Sequence, residues 1–229
     1  MEDVQYRHEL KYFLNAQDAI VVRSRLCAAM SPDTHTREDG KYYIRSVYFD
    51  DANNSALWEK LNGVSRRAKF RIRIYNSDSG FIRLEKKIKV SGLGTKISVS
   101  ITRDETERIL QEEIGWMGTD SRELLQELYV KMRYEGLKPK TLVDYTREPF
   151  LYNPGNVRIT LDSDIRSGLC SNRLFSAFVP TVPVAPGIII MEVKYDNFLP
   201  EPVQDLIQMK DRSLGAFSKY AACRIDAHF

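Results

Sequence analysis

Two segments joined by a polar turn constrain this chain most: Lys69-Phe70-Arg71-Ile72-Arg73-Ile74-Tyr75 and Phe81-Ile82-Arg83-Leu84-Glu85-Lys86-Lys87-Ile88-Lys89. Asn76-Ser77-Asp78-Ser79-Gly80, all turn formers, lie between them and predict a β-hairpin. Side chains alternate faces along a strand, so Lys69, Arg71 and Arg73 share one face and Phe70, Ile72 and Ile74 the other. On the return leg Arg83, Glu85, Lys87 and Lys89 oppose Ile82, Leu84 and Ile88. One face must find a dry partner. The other meets either water, as in a half-solvated antiparallel sheet, or something of opposite charge.

The same alternation recurs along the chain. Residues 5–13 predict a strand with Arg7, Glu9 and Lys11 together and His8 facing away as a structural group. Asn15 caps a helix to about Met30 with Asp18 in its first turn, and Ser31-Pro32 ends it. Residues 41–50 are aromatic and β-branched, a strand; 53–61 predict a short helix burying Leu57, Trp58 and Leu61. Val90 to Gly94 is expected to be a loop, followed by a short extended segment at 97–101. Thr102 and Glu105 form a capping box for a helix to about Glu113; Asp120 is expected to cap another to Tyr134 with Leu124, Leu125, Leu128 and Met132 on its core stripe. Strands follow at 141–147 and 157–162, then a loop-rich 167–186, then the most apolar strand, 188–195. Helices are expected at about 201–210 and 213–223.

That last strand sharpens the choice between water and counter-charge. Ile188-Ile189-Ile190-Met191 should be buried on both sides, yet Glu192 and Lys194 follow on one face. Unpaired buried charge is costly, so buried charges are paired or bind ions. A barrel with apolar faces packed outward on helices and charged faces inward resolves the conflict. With a net charge of only +3, any polyanion site must come from arrangement and not from excess. Arg and Lys match phosphate oxygens, and carboxylates among them can hold a divalent ion that bridges those oxygens. Only three histidines are present, and phosphoryl transfer needs no Ser/His/Asp set.

Other chemistries find little support. Cys27, Cys170 and Cys223 are too scattered for a disulfide framework or a zinc site. Gly92-Leu93-Gly94-Thr95-Lys96 has the wrong spacing for a nucleotide loop. Aromatic platforms are not interleaved with the basic strips, so no nucleic acid partner is expected. With no apolar run long enough to span a bilayer and no N-terminal leader, a cytoplasmic protein without a membrane segment is expected.

Taken in order, Arg7-His8-Glu9-Leu10-Lys11-Tyr12, Ser46-Val47-Tyr48-Phe49-Asp50, Lys69-Phe70-Arg71-Ile72-Arg73, Glu85-Lys86-Lys87, Tyr145-Thr146-Arg147, Ile190-Met191-Glu192-Val193-Lys194 and Phe217-Ser218-Lys219-Tyr220 resemble the triphosphate tunnel metalloenzymes. Within them the chain is similar to the VTC domain, the polyphosphate polymerase module of the vacuolar transporter chaperone, from about Tyr6 to Arg224. The resemblance implies an α+β fold: an antiparallel closed β-barrel, a tunnel of about eight strands with flanking helices, as one domain over 1–229. It implies transfer of the γ-phosphate of ATP to polyphosphate with Mn²⁺ or Mg²⁺. Carried over, Arg71, Arg73, Lys87, Arg147 and Lys219 are the catalytic phosphate contacts. Lys11, Lys69, Lys96, Arg158 and Lys194 bind substrate, Glu192 is the principal metal ligand, and Glu9 and Glu85 are secondary ligands. The wider superfamily opens on ExExK, whereas Arg7 stands here at the first Glu, which leaves the metal site leaner and weakens a hydrolase reading. A triphosphate hydrolase and a non-catalytic polyphosphate- or nucleotide-binding module are the alternatives. The phosphate-sensing and membrane segments that accompany the eukaryotic polymerase are not expected.

Overall fold

The computed structural model describes residues 5–209 and 214–225. In chain order it contains β1 (His8–Leu14), α1 (Ala16–Ala29), β2 (Ser31–Pro32), β3 (Tyr42–Asp50), α2 (Ser55–Leu61), β4 (Arg66–Tyr75), β5 (Ile82–Val90) and β6 (Leu93–Ile101). Then come α3 (Arg103–Leu110), α4 (Glu123–Tyr134), β7 (Lys138–Tyr152), β8 (Val157–Ser167), β9 (Val182–Pro183), β10 (Ile189–Tyr195), α5 (Glu201–Ile207) and α6 (Lys219–Ile225). All ten strands join one sheet, in the order β1-β10-β8-β7-β3-β4-β5-β6, with β2 added to β7 and β9 to β8. Every pairing is antiparallel.

The hairpin decides which face is dry. In the β4–β5 register Arg71 opposes Glu85, while Ile72 opposes Leu84 and Ile74 opposes Ile82. Phe70, Ile72, Ile74, Ile82 and Leu84 pack with Ile109 and Leu110 of α3 and with Leu125 and Leu128 of α4. Each such side chain contributes roughly 1.5–3 kcal/mol when fully buried. On the other half of the sheet Ile159, Leu161, Met191 and Val193 pack outward on Val22 and Leu26 of α1 and Val203 of α5. Helices therefore cover the outer face, and the charged residues point inward. At one end of the inner face Ile44, Val143, Ile190 and Tyr220 form an apolar plug with Leu57 of α2.

Closure differs from the expected barrel. No ladder joins the edge strands β1 and β6; they meet at one antiparallel bridge, where Arg7 and Gly94 exchange main-chain hydrogen bonds of 2.9 Å. The sheet is a curved one whose edges touch at a point, not a barrel closed by hydrogen bonds. The expected loop at 90–94 is instead a two-residue hairpin turn: Ser91 (φ 48°) and Gly92 (φ 89°) both have positive φ, the conformation that matches strand twist in tight hairpins. β6 consequently starts at Leu93 and carries Lys96 in register with Lys87.

Other boundaries shift for local reasons. β7 runs on to Tyr152 through Pro149, which lies between Arg147, the last residue paired to β3, and Phe150, paired to β2. A missing N–H costs little there. Trp58 and Leu61 are 54% and 46% exposed, so α2 buries Leu57 and Ala56 instead. Asp120 bonds the Arg122 guanidinium and main-chain N–H (2.8 Å), and the helix begins only at Glu123. The helices expected at 201–210 and 213–223 are α5, ending at Ile207, and α6, beginning at Lys219; residues 210–213 lie outside the described residues. Leu214 and Gly215 instead run beside β1, with the Gly215 N–H donating to Lys11 O at 2.9 Å. A Cβ at Gly215 would sit 2.0 Å from the Phe13 ring, so any other residue there requires that ring to move.

Asp50 ties α2 and α6 to the sheet. Its buried carboxylate accepts from the main-chain N–H groups of Ala56 (2.9 Å) and Leu57 (3.2 Å) at the start of α2 and from the Tyr220 hydroxyl. Asp50→Ala is expected to lower stability by about 3 kcal/mol, since it leaves buried donors unmatched at a helix start. Urea unfolding measures this.

Candidate functional site

Seven strands direct charge into one cavity of about 460 Å³, and β3 adds the Tyr48 hydroxyl. On the wall built by β3 to β6, Arg71 donates from Nε to Glu85 Oε2 (2.6 Å) and from Nη1 to the Tyr48 hydroxyl (2.8 Å). Arg73 reaches Ser46 Oγ (3.0 Å) and the Tyr145 hydroxyl (2.8 Å), and Lys96 holds Glu85 Oε1 at 2.7 Å. Where the wall built by β1, β10, β8 and β7 meets the first, Lys11 of β1 and Lys87 of β5 flank Glu9 at 2.9 and 2.8 Å. Lys194 lies 3.0 Å from Glu192, and Arg147 forks onto Asp162 at 2.6 and 2.7 Å while touching Glu192 at 3.4 Å. Lys219, from the start of α6, donates to Asp162 Oδ2, the oxygen that also accepts from Arg147 Nη2.

The expected cations Lys11, Lys69, Arg71, Arg73, Lys87 and Lys96, with Arg147, Arg158, Lys194 and Lys219, all border this cavity, and so do Glu9 and Glu192. Arg158 sits toward the rim, paired to Asp33 at 3.0 Å. Glu85 is placed apart from the other carboxylates: it is 0% exposed, behind Arg71 and Lys96, and does not border the cavity. His8, expected to face away from Glu9, stacks on the Tyr195 ring, centroids 4.9 Å apart, and also borders the cavity. The sequence reading gave no role to Tyr48, Tyr145, Tyr220 and Asp162. Tyr145 lies two residues before Arg147 and Tyr220 next to Lys219, whereas Asp162 is four residues from Arg158 and Tyr48 has no singled-out charge on its strand.

The pairing holds each group in its charged form. Burial opposes ionisation of Glu9, and Glu192 adds to that, but Lys87, Lys11 and Lys194 outweigh both and hold Glu9 well below the usual carboxylate range. Glu85 is treated alike by burial and by Arg71, Arg73 and Lys96, with the same downward result. Asp162, pushed up by burial, is brought down to about 2 by Arg147 and Lys219. Burial would raise Tyr48 as well, yet Arg71 and Arg73 lower it to about 8. Burial lowers the interior lysines Lys87 and Lys194 as well as Lys69, which falls to about 8; the Lys69 Nζ has no hydrogen-bond partner among the described residues and lies 4.8 Å over the Tyr220 ring.

A pH dependence follows from the carboxylates. Folded pKa values below the unfolded ones mean stability that is complete above the unfolded carboxylate range and lost as pH falls toward the folded values. Acid unfolding is therefore expected to steepen between about pH 4 and pH 2, the window set by Asp162 at about 2 against its ordinary 3.8. Circular dichroism against pH should show Asp162→Asn flattening that limb.

For a divalent ion the donor set is lean. Among the described residues no group of three or more His, Cys, Asp or Glu side chains is gathered for a closed cage. Glu9 and Glu192 nevertheless face one cavity, close enough for Glu192 to disfavour ionisation of Glu9. Mg²⁺-like ions commonly take one or two protein carboxylates and complete their shell with water and phosphate oxygens. These two residues fit an ion shared with an anionic ligand.

A family model described as the VTC domain matches residues 6–227. Among solved structures, the putative adenylyl cyclase HpAC1 from Hippeastrum, described as having a dominant triphosphatase activity, superposes with a TM-score of 0.53 at 13% identity, over 97% of this chain and 96% of that one. The PH1012 protein from Pyrococcus horikoshii OT3 superposes with a TM-score of 0.52 at 12% identity, over 94% and 98%. At such identity these two show a shared fold. No curated protein matches the sequence significantly.

Proposed function

The chain belongs to the VTC domain family, and from that premise we propose that it is an ATP-dependent polyphosphate polymerase, moving the γ-phosphate of ATP onto a phosphate chain held in the cavity. The observation that carries this reading is the convergence of ten expected cations and two carboxylates on one cavity. A solvated sheet face has no reason to bury Arg73 and Lys219 at 3% and 9% exposure. A stability role alone is a weak reason too, since buried ion pairs rarely gain over apolar packing.

In the transfer, a terminal oxygen of the chain bonds to the γ-phosphorus while the bond to the β–γ bridging oxygen breaks, and ADP departs with the electron pair. Little covalent help is needed; positioning and charge do most of the work. Arg71 and Arg73 present rigid forks, steadied by Tyr48, Ser46 and Tyr145, to phosphate oxygens on one wall. Lys87 of β5 joins them, and Lys11, Lys194, Arg147 and Lys219 do so from the other, where phosphate takes the place that Glu9, Glu192 and Asp162 hold in the free protein. Glu192 and Glu9 would hold Mn²⁺ or Mg²⁺, which when bound offsets charge on the phosphate oxygens. Arg7, where the wider superfamily places a carboxylate, is tied to Asp196 at 2.7 Å and adds no metal donor.

Product analysis tests the assignment. With ATP and Mn²⁺ the expected products are ADP and long-chain polyphosphate visible on a stained gel. Free phosphate released in step with ADP, without polymer, would assign a hydrolase instead; binding without turnover would assign a non-catalytic module.

A further inference from the structure

Lys69 stands apart from the lysines deep in the cavity. Lys11, Lys87, Lys96, Lys194 and Lys219 each have a carboxylate oxygen within 3.0 Å. Lys69 pairs with none among the described residues: its Nζ is buried, has no hydrogen-bond partner there, and lies over the Tyr220 ring. Cations crowd it. Arg67 and Arg71 share its face of β4, Lys87 is directly opposite on β5, and Lys60 reaches toward it from α2. Tyr48 and Asp50 of β3 pull the other way, but the Asp50 oxygens already accept from the main-chain N–H groups of Asp51, Ala56 and Leu57 and from the Tyr220 hydroxyl. Burial, Arg67 and Lys60 prevail and leave the ammonium at about 8. About a tenth of this amine is therefore neutral at pH 7, against about one in three thousand for an ordinary lysine. A desolvated lysine beside other cations is a nucleophile, and here the same cations attract anions.

We propose that Lys69 is a site of covalent acylation by small acyl phosphates, which the cavity cations capture by their phosphoryl group. The neutral amine attacks the carbonyl carbon, and the bond from that carbon to the oxygen it shares with phosphorus breaks. Inorganic phosphate departs with the electron pair and takes up the proton that the nitrogen releases. Arg71 and Lys87, on the same face and directly opposite, offset the charge that gathers on the departing phosphate. Resting on the cavity being a phosphate site, this assignment adds a ligand class and a control: acylation turns an interior cation into a bulkier neutral amide and weakens the site for phosphate chains.

Acetyl phosphate is the probe. Wild-type protein is incubated with it at about pH 7, with and without saturating tripolyphosphate, and acetylated lysines are located by peptide mass spectrometry. Lys69 should react roughly tenfold or more faster than the exposed Lys131 and Lys138, a smaller margin than the neutral fractions give because nucleophilicity falls with basicity. Tripolyphosphate should protect Lys69 and leave the two surface lysines unaffected. With N-acetoxysuccinimide, an acyl donor without a phosphoryl group, the preference for Lys69 should shrink. The acetylated protein should bind tripolyphosphate about tenfold more weakly by calorimetry. Lys69→Arg, which keeps the cation but offers no nucleophile, should bind tripolyphosphate before and after the same treatment. Uniform labelling overturns the proposal, as does an equal preference for Lys69 with the phosphate-free donor, which would mark a reactive lysine without phosphoryl capture. Tripolyphosphate that binds by calorimetry yet does not protect Lys69 overturns it too, while the cavity's reading stands. Tripolyphosphate that fails to bind wild type at all overturns that reading and this proposal together.

Discussion

Glu85→Ala should lower stability by about 3–5 kcal/mol, the cost of removing one partner from a buried ion-pair cluster. Glu85 is fully buried and holds Arg71 at 2.6 Å and Lys96 at 2.7 Å, with Arg73 3.9 Å away. Without it three cations face one another in a confined space. The same change is expected to make the fold depend on phosphate: tripolyphosphate at 100 times its Kd returns about 2.7 kcal/mol by mass action, and the uncompensated cations should bind it more tightly than in wild type. Urea unfolding with and without tripolyphosphate reads both effects. A loss under about 1 kcal/mol, or no rescue by the anion, would show that Glu85 is not the counter-charge of the phosphate-facing wall.

Glu192→Gln should act on turnover and leave folding largely intact. The amide keeps the shape, and its one oxygen can still accept from Lys194, which lies 3.0 Å from Oε1, while the longer 3.4 Å contact of Arg147 with Oε2 is given up. What it loses is the negative charge that would hold a divalent ion beside Glu9. Metal-dependent turnover of ATP is expected to drop by roughly 10²–10³-fold, matching the several kcal/mol an ion supplies to phosphoryl transfer. Metal-free binding of tripolyphosphate should be retained or strengthened, because a carboxylate competing for Lys194 and Lys11 is gone. Equal losses in turnover and metal-free binding would instead make Glu192 a positioning residue for the lysines.

The faces of the strands were legible in the sequence because alternation is local: Phe70, Ile72 and Ile74 against Arg71 and Arg73 needed no knowledge of the rest of the chain. The inward direction of the charged face was legible for a second reason, the conflict inside 188–195 between an apolar run and Glu192 with Lys194. Closure was not. Whether β1 and β6 form a ladder depends on Arg7 and Gly94, 87 positions apart, and on how much curvature eight strands accumulate. The tyrosines were missed for a chemical reason. Tyr48, Tyr145 and Tyr220 count as apolar in a periodicity, yet their hydroxyls sit on Arg71, Arg73 and Asp50. Asp162 gains its role only through Arg147 and Lys219, the second of which the fold brings to it from the start of α6. The hairpin at Ser91–Gly92 was hidden because Ser91 adopts a positive φ more typical of Asn or Gly.

The measurement that bears most directly on the inward charged face is calorimetric titration of tripolyphosphate into the metal-free protein at two salt concentrations, beside Arg73→Met. Arg73 is 3% exposed and bonded to Ser46 and Tyr145, with no carboxylate nearer than 3.9 Å, so its loss removes a phosphate contact without stranding a close counter-ion. Expected is one site per chain in wild type, weakened by added salt, with affinity reduced about tenfold or more in Arg73→Met. No heat and no thermal stabilisation of wild type by tripolyphosphate, at either salt concentration, would contradict it: the buried charges would then serve one another and no ligand.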